Sequence, residues 1–504
     1  MFPNDTNFES EFTFETPGNP VPDELPFHIL FLGNWSGDAD AGALSERRPV
    51  VIDRDNFDDV IRKLGVTLEL DLYEEGTDKL RLDFGELDDF HPDNLYRQVP
   101  LFAELRDLRR RLSNSDTFER AAREVRSWLP AVQTDEAAQT DEPGKEVFVE
   151  SSDLLDMMLE GRDDSPSKIK IKPSMDNDLA RFVSQIVSDN LIRIDEAEQQ
   201  KMVELVDRSI SELMRRILHH SGFQELEAAW RGLYFLVRRL DTDVDLKVFI
   251  LDAGKQELLD NLKSCSDLTE TFLYRRLFSP DTELADQSSW GLIAGNYSFN
   301  SDVDDAAGLI RLAKLAAAAN APFVSHIRPQ LFGVDDFSRP TEFKITEGST
   351  EDKLWTALKN IPEAGFIGLS PMRFLARLPY GSQTDSVETF SFEEFTDETP
   401  HRGLVWSNPG FVCALLLGQS YRSFYWEMGR SFIREVDKLP LFIYRDGSET
   451  KSVPCAEIVL TETFAERILD SGMIPLISFR DDDRIRVGRF QSISSKLLQG
   501  KWIS

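Results

Sequence analysis

Apolar residues recur at three- and four-residue steps through the middle of the chain, where Met202, Val206, Ile210, Leu213 and Ile217 fall on one face of a helix. The stripe stops at residues 219–222 and resumes with Phe223, Leu226, Trp230, Leu233 and Val237. Two amphipathic helices joined by a tight turn are predicted, with Gly222 supplying a positive φ at the first helix end. Ser221 is placed to cap the second helix, with Gln224 reaching back as in a capping box. Both faces are rich in large side chains, so the hairpin reads as a scaffold and Phe223, Leu226, Trp230 and Leu233 as core residues.

Elsewhere the pattern alternates between short strands and helices. Phe8, Phe12 and Phe14 alternate in residues 8–15 before Pro17, Gly18 and Pro20 cut the run off, which predicts a lone strand on a Pro-Gly tether. Such a strand pairs either with the sheet that follows or with the edge of another subunit. A buried strand at 27–32 ends in the glycine-bearing loop 33–37. After it come strands at 50–53, 66–73 and 79–84, a helix from Asp55 to near Arg62, and a helix after Pro92 whose stripe runs on through Leu101, Leu105, Leu108 and Leu112. A further helix covers 118–129, and helix continues from Met175 to Leu240. Downstream, strands are expected at 244–251, 291–297, 323–325, 366–369, 455–460 and 475–479. Helices are expected at 255–262, 306–321, 409–426 and 463–471. The class is mixed α/β, α+β in detail.

Composition adds a break and several exclusions. Residues 131–167 are acidic, poor in large apolar residues and interrupted by Pro143-Gly144, as a solvated linker is. Within it the island 152–160 carries Leu154, Leu155, Met157, Met158 and Leu159, enough for a short helix that docks a partner or folds back on its own chain. At 504 residues the chain has room for about three domains. Its net charge of -32 repels a phosphate backbone, which makes nucleic acid a poor partner. No run approaches the ~20 apolar residues of a membrane span, and the N-terminus lacks a signal-peptide pattern, so a soluble cytoplasmic protein is expected. Cys265, Cys413 and Cys455 are odd in number and widely spaced, which argues for ordinary thiols.

No candidate for chemistry assembles into a site. His219 and His220 are adjacent, so on a helix they diverge by about 100° and do not chelate as i,i+4 histidines do. His28, His91, His326 and His401 lie in separate segments. Ser370 lacks the second glycine of a nucleophile elbow, because Met372 occupies that place. Asp302, Asp304 and Asp305 lack the closing Glu and central Gly of a calcium loop. The 33–37 loop fits neither nucleotide-binding glycine pattern, and Asp481-Asp482-Asp483 reads as a solvated turn between strands. No catalytic residue, metal or cofactor is expected.

The motif ILHHSGFQELEAAWRGLYFLV at 217–237 resembles the large subunit of the type VI secretion contractile sheath. The resemblance continues through GLIAGNYSF, APFVS, GFIGLSPMRFLARLPYG, LVWSNPGF and the 454–479 segment. LPFHILFLGNWSG, VIDRDNFDDVI and LDFGELDDFHPDNLYRQVPLFAELRDLRRRL resemble instead the small sheath subunit. The resemblance implies a small-subunit domain at 1–130 with a strand arm at 8–15, a linker at 131–174 with its helix at 152–160, and a large-subunit domain at 175–504. It implies a contractile-sheath fold, with a composite small/large-subunit core and peripheral helices. A polymerising, non-enzymatic subunit follows, whose partners are other sheath subunits, an inner tube, a baseplate and a recycling AAA+ unfoldase. By the same resemblance Phe8, Phe12 and Phe14 form a strand given to a neighbour, and Leu154, Leu155 and Met158 form the unfoldase handle. The family pattern runs on beyond Phe490–Leu498 into further helices and a strand. The expectation is therefore a C-terminally shortened large subunit, with a sheath-capping or baseplate-linking subunit as the alternative and a hydrolase using His219 a distant third.

Overall fold

The computed structural model describes residues 25–72, 79–128, 198–278, 290–334, 337, 345–396, 401–446 and 448–503. The expected arm with Phe8, Phe12 and Phe14, the handle with Leu154, Leu155 and Met158, and the helix expected over 175–197 lie outside the described residues. The chain divides into two units, one of residues 1–74, 79–99 and 213–504, the other of 75–78 and 100–212.

The first unit is built on a six-stranded sheet. Its strands are β1 (Phe27–Gly33), β2 (Val50–Ile52), β5 (Leu246–Asp252), β6 (Trp290–Phe299), β7 (Phe323–Ile327) and β8 (Ile367–Ser370), in the order β2-β5-β1-β6-β7-β8. All pairs are parallel except β2 against β5. β1 is buried at every position, and β5 at all but Lys247, as befits parallel strands covered on both faces. The hairpin β3 (Thr67–Leu70) and β4 (Leu80–Asp83) lies in the chain between helix α1 (Phe57–Leu64) and helix α2 (Pro92–Gln98). The helix expected to run on from Pro92 is broken at Val99, which is extended (φ -74°, ψ 122°) ahead of Pro100. A residue before proline is pushed out of helical geometry, and the proline itself has no N–H to donate.

The second unit carries α3 (Pro100–Ser113) and α4 (Phe118–Trp128). Leu101, Leu105, Leu108 and Leu112 of α3 are buried with Ala121, Ala122 and Val125 of α4. Gln199 donates to the Leu112 carbonyl at 2.8 Å, and Arg109 bonds the Asp207 carboxylate. Gln199 and Asp207 belong to α5 (Glu198–Leu218).

α6 (Ser221–Arg239) follows after a two-residue turn, as the periodicity predicts. The cap differs from the expected one. His220, extended at φ -65°, is the N-cap, and its Nδ1 accepts from the Gly222 N–H at 3.2 Å. Ser221 and Gly222 are already helical, and Gln224 donates to the Gly403 carbonyl instead. The imidazole is the stronger acceptor and sits one residue earlier, which is enough to move the helix start.

Around the sheet lie α7 (Lys255–Ser264), α8 (Phe272–Phe278), α9 (Val303–Ala319), α10 (Thr350–Lys359), α11 (Pro409–Phe424) and α12 (Glu462–Asp470). α11 is apolar almost all round and buried from Pro409 to Gly418. Three small sheets complete the unit: β9 (Phe374–Leu375) with β10 (Trp406–Ser407), β12 (Phe442–Asp446) with β13 (Glu449–Val453), and β11 (Glu435–Val436) with β15 (Ile485–Val487) and β14 (Leu476–Ser478). The strand expected at 455–460 does not form. Glu457 takes φ 27° there to aim a buried carboxylate at Arg373, which takes the segment out of extended geometry.

Candidate functional site

The feature that sets this chain apart is the seam between its N-terminal residues 25–99 and its later ones. β1 comes from the former, yet it lies between β5 and β6 of the latter, in register Phe27↔Leu246 through Gly33↔Asp252. The turn after β1 is held by Asp252, whose Oδ1 accepts from the Trp35 and Ser36 N–H groups at 2.7 and 3.3 Å. Trp35 is fully buried, and its carbonyl accepts from the Trp230 indole at 3.2 Å. The Trp35 and Trp230 rings meet edge to face at 5.5 Å, and Phe31 stacks on Phe411 at 4.2 Å. Phe223 packs against the stacked pair Phe84 and Phe90, with centroids 6.2 and 5.7 Å away.

Of the four scaffold residues, Phe223 and Trp230 touch the N-terminal region directly, and Leu226 and Leu233 are buried on the same helix. Hydrogen bonds add direction to this apolar contact. Arg47 grips Glu257 with both guanidinium nitrogens, at 2.9 and 3.0 Å. Asp93 accepts from the Glu388 and Thr389 N–H groups and from the Thr389 hydroxyl. Burial opposes ionisation of Asp93, but those bonds and His91 outweigh it and hold the carboxyl below its usual range.

A charge network whose carboxylates are buried lies in the same unit. Glu227 Oε1 accepts from Arg231 and Arg377, each at 2.7 Å. Arg377 holds Glu394 bidentately at 2.8 and 3.1 Å and lies 4.1 Å over the Tyr380 ring. Tyr380 donates its N–H to Glu394 and accepts at its hydroxyl from Arg231. His219 Nε2 stands 3.6 Å from Glu394 while its ring stacks on Phe395. Two carboxylates face two guanidiniums, so the cluster is neutral as a whole. Burial resists the charge on Arg377, but Glu227 and Glu394 overcome it and raise its pKa further. The periodicity of α6 carried a trace of this, because Glu227 sits on the buried stripe next to Leu226, where a lone carboxylate needs a partner. Arg377 and Glu394 left no such mark, since both lie in irregular segments.

A cleft of about 810 Å³ opens at the carboxyl ends of the parallel strands, lined among others by Asn34, Lys255, Asn296, His326, Arg328 and Arg373. Its polar groups are mostly occupied with one another. Lys255 donates to the Ser298 carbonyl and to Asp305, both at 2.7 Å. His326 stands between the Ser298 hydroxyl (2.9 Å) and the Pro371 carbonyl (3.2 Å). A carbonyl only accepts, so Nε2 carries the proton. Burial and the Arg373 charge lower the pKa of His326 to about 3, and the ring stays neutral.

The remaining candidates are structural. Asp302 caps α9 by accepting from Asp305 N–H, Ser370 donates to the Met372 carbonyl, and Asp481 takes φ 55° in the turn between β14 and β15. Among the described residues no three His, Cys, Asp or Glu side chains gather in metal-binding geometry, and no helix is long and apolar enough to cross a membrane.

Comparison with known proteins follows the two sides of this seam. The family described as VipB, EvpB/VC_A0108, tail sheath N-terminal domain, matches residues 200–494. The type VI secretion system family VipA matches residues 9–141. A relative in Pseudomonas aeruginosa, type VI secretion system sheath protein TssC1, is 30% identical over 294 residues. That alignment covers 56% of this chain and 59% of the relative's length.

Proposed function

The chain belongs to the VipB tail sheath family, with a VipA-type region fused ahead of it, and we propose that it is a structural subunit of a type VI secretion contractile sheath. The observation that carries this reading is the threading of β1 between β5 and β6, which makes one composite body of regions that match two different sheath families. Such a body brings the partner pair along in a single polypeptide, at fixed stoichiometry.

Identical bodies joined by a heterologous, non-closing contact build a helical filament. The seam and the buried charge network brace the unit that carries the six-stranded sheet, so rearrangement falls on the contacts between subunits. If an extended lattice buries less surface than a contracted one, assembly on a template stores the difference as free energy and triggering releases it. No bond need be made or broken in the sheath, in keeping with polar groups that satisfy one another. On this reading the subunit works in the cytoplasm around an inner tube, on a baseplate, and an AAA+ unfoldase takes it apart afterwards. The arm with Phe8, Phe12 and Phe14 then laces neighbours together, and Leu154, Leu155 and Met158 serve as the unfoldase handle. Domain assignments of 1–130, 131–174 and 175–504 belong to the same proposal.

Negative-stain electron microscopy of the purified chain at rising concentration tests it. Long hollow tubes are expected; discrete particles at every concentration would point to a capping or baseplate-linking subunit instead.

A further inference from the structure

We propose that in the unassembled protomer the aromatic arm at residues 8–15 docks on its own chain, against an apolar pole formed by Val244, Phe424, Tyr425 and Ile503. The pole lies at the amino ends of the parallel strands. Val244 is 74% exposed, Tyr425 51%, Ile503 44% and Phe424 42%; the other exposed large apolar side chains among the described residues, Val51, Val303, Ile443 and Val459, come from separate segments of the chain. Arg422 bonds Asp243 at 2.8 Å, which fixes the loop bearing Val244 beside the end of α11. The Tyr421 and Tyr425 rings are 5.6 Å apart, and Lys501, two residues from Ile503, lies 5.7 Å over the Trp426 ring.

Tyr425 is the second observation. It takes φ 46° and ψ -142°, a conformation almost confined to glycine, and it presents its ring outward in doing so. The strain has a visible cause in its neighbour. Trp426 turns inward so that its indole donates to the Leu25 carbonyl at 2.8 Å, where the Tyr421 hydroxyl also donates at 2.9 Å. Phe27 then sits against Tyr421 and Trp426, with centroids 5.1 and 5.5 Å away. The chain is therefore clamped at Leu25, beside the pole, and everything upstream starts from that point.

What starts there fits the pole. The ten residues between Phe14 and Leu25 reach roughly 35 Å at full extension, and they hold Pro17, Gly18, Pro20 and Pro22, which favour a reversal of direction. Three phenylalanines at even spacing in a run of eight residues would share one face of an extended strand. A short tether gives that face a millimolar-order effective concentration at the pole. A second copy of the chain in dilute solution cannot match that.

The docking stands on this geometry alone; its consequence rests on the sheath reading. An arm held in cis is withheld from a neighbour, so polymer growth requires its release, and the pole acts as a brake on premature assembly.

Hydrogen exchange measured by mass spectrometry on the full chain, kept monomeric by dilution and checked by sedimentation, tests the docking. Amides of residues 8–15 are expected to exchange about tenfold more slowly than in the Phe424→Ser/Tyr425→Gly variant. Glycine relieves the backbone at 425, so this variant keeps its fold, which thermal unfolding verifies. The variant should also polymerise with a shorter lag. Free-chain exchange in the wild-type monomer, protection unchanged in the variant, or protection that arises only in polymers would each overturn the proposal. Protection in a monomer that forms no polymer under any condition would uphold the docking and count against the sheath reading.

Discussion

Replacing Arg377 with methionine removes the centre of the buried charge network. Glu227 and Glu394 are 0% and 1% exposed at the side chain, and Arg377 bonds both. Methionine keeps much of the volume but leaves Glu394 without its bidentate partner and Glu227 with Arg231 alone. Breaking a buried pair in this way costs about 3–5 kcal/mol, since an uncompensated charge stays inside. The cost depends on pH in a defined direction. Burial alone would raise the pKa of Glu394, but the charge of Arg377, the approach of His219, and hydrogen bonds from Arg377 and the Tyr380 N–H outweigh it and lower the pKa to about 2. A depressed carboxylate pKa contributes stability that is fully present above the unfolded value and is lost as pH falls through about 2. The shift from the ordinary 4.5 corresponds to about 3 kcal/mol at ~1.4 kcal/mol per pH unit, of the same order as the cost of breaking the pair. Urea unfolding of wild type and Arg377→Met from pH 7 to pH 2.5 should show the widest gap near neutrality and a gap that begins to shrink above the ordinary carboxylate pKa of 4.5, because burial raises the pKa of the stranded Glu394 and protonation then neutralises it. Adding Glu394→Gln to the variant should recover part of the loss at pH 7. A gap under about 1 kcal/mol at pH 7, or one that does not change with pH, would refute the reasoning.

Trp230→Ala empties the centre of the seam and removes the bond to the Trp35 carbonyl, at a cost of about 3–5 kcal/mol read from denaturant unfolding; a loss under ~1 kcal/mol would mean the seam does not depend on it. Gly37→Ala should destabilise by at least ~1 kcal/mol, because Gly37 has φ 69° and an added Cβ would stand 2.2 Å from the Thr67 carbonyl oxygen; an unchanged melting temperature would contradict this. Ellman's reagent at pH 8 should label Cys265 of the native chain quickly, and Cys413 and Cys455 only on unfolding. Burial pushes both of those thiols up to about 12, aided at Cys455 by Asp483 and Asp482, so rapid native labelling of Cys413 would refute it. Asp93→Ala strands the N–H groups of Glu388 and Thr389 and should raise hydrogen exchange there, with about 1–3 kcal/mol lost; unchanged exchange would show that Asp93 does not hold that segment.

Strong periodicity made the helices α6, α9 and α11 and the buried strands β1 and β5 legible in the sequence, because each pattern reports one local geometry repeated many times. The errors lie where a single side chain outweighed the pattern. His220 moved a cap by one residue, Pro100 split a stripe that looked continuous through Leu112, and Glu457 bent 455–460 out of a strand in order to reach Arg373. The placement of β1 between β5 and β6 left no local trace, since 212 residues lie between Gly33 and Leu246 and neither strand's pattern names its neighbour. The charge network was half visible, through Glu227 on an apolar stripe. Arg377 and Glu394 stayed hidden because irregular segments carry no periodicity to violate.

The central claim is that one chain supplies both halves of a self-assembling body. Electron cryomicroscopy of polymers grown from the purified chain measures this directly. The account predicts helical tubes whose repeating unit is a single chain, with β1 lying between β5 and β6 of that same chain. Persistent monomers at all concentrations, or a repeat that requires a second polypeptide to supply the strand between β5 and β6, would contradict it.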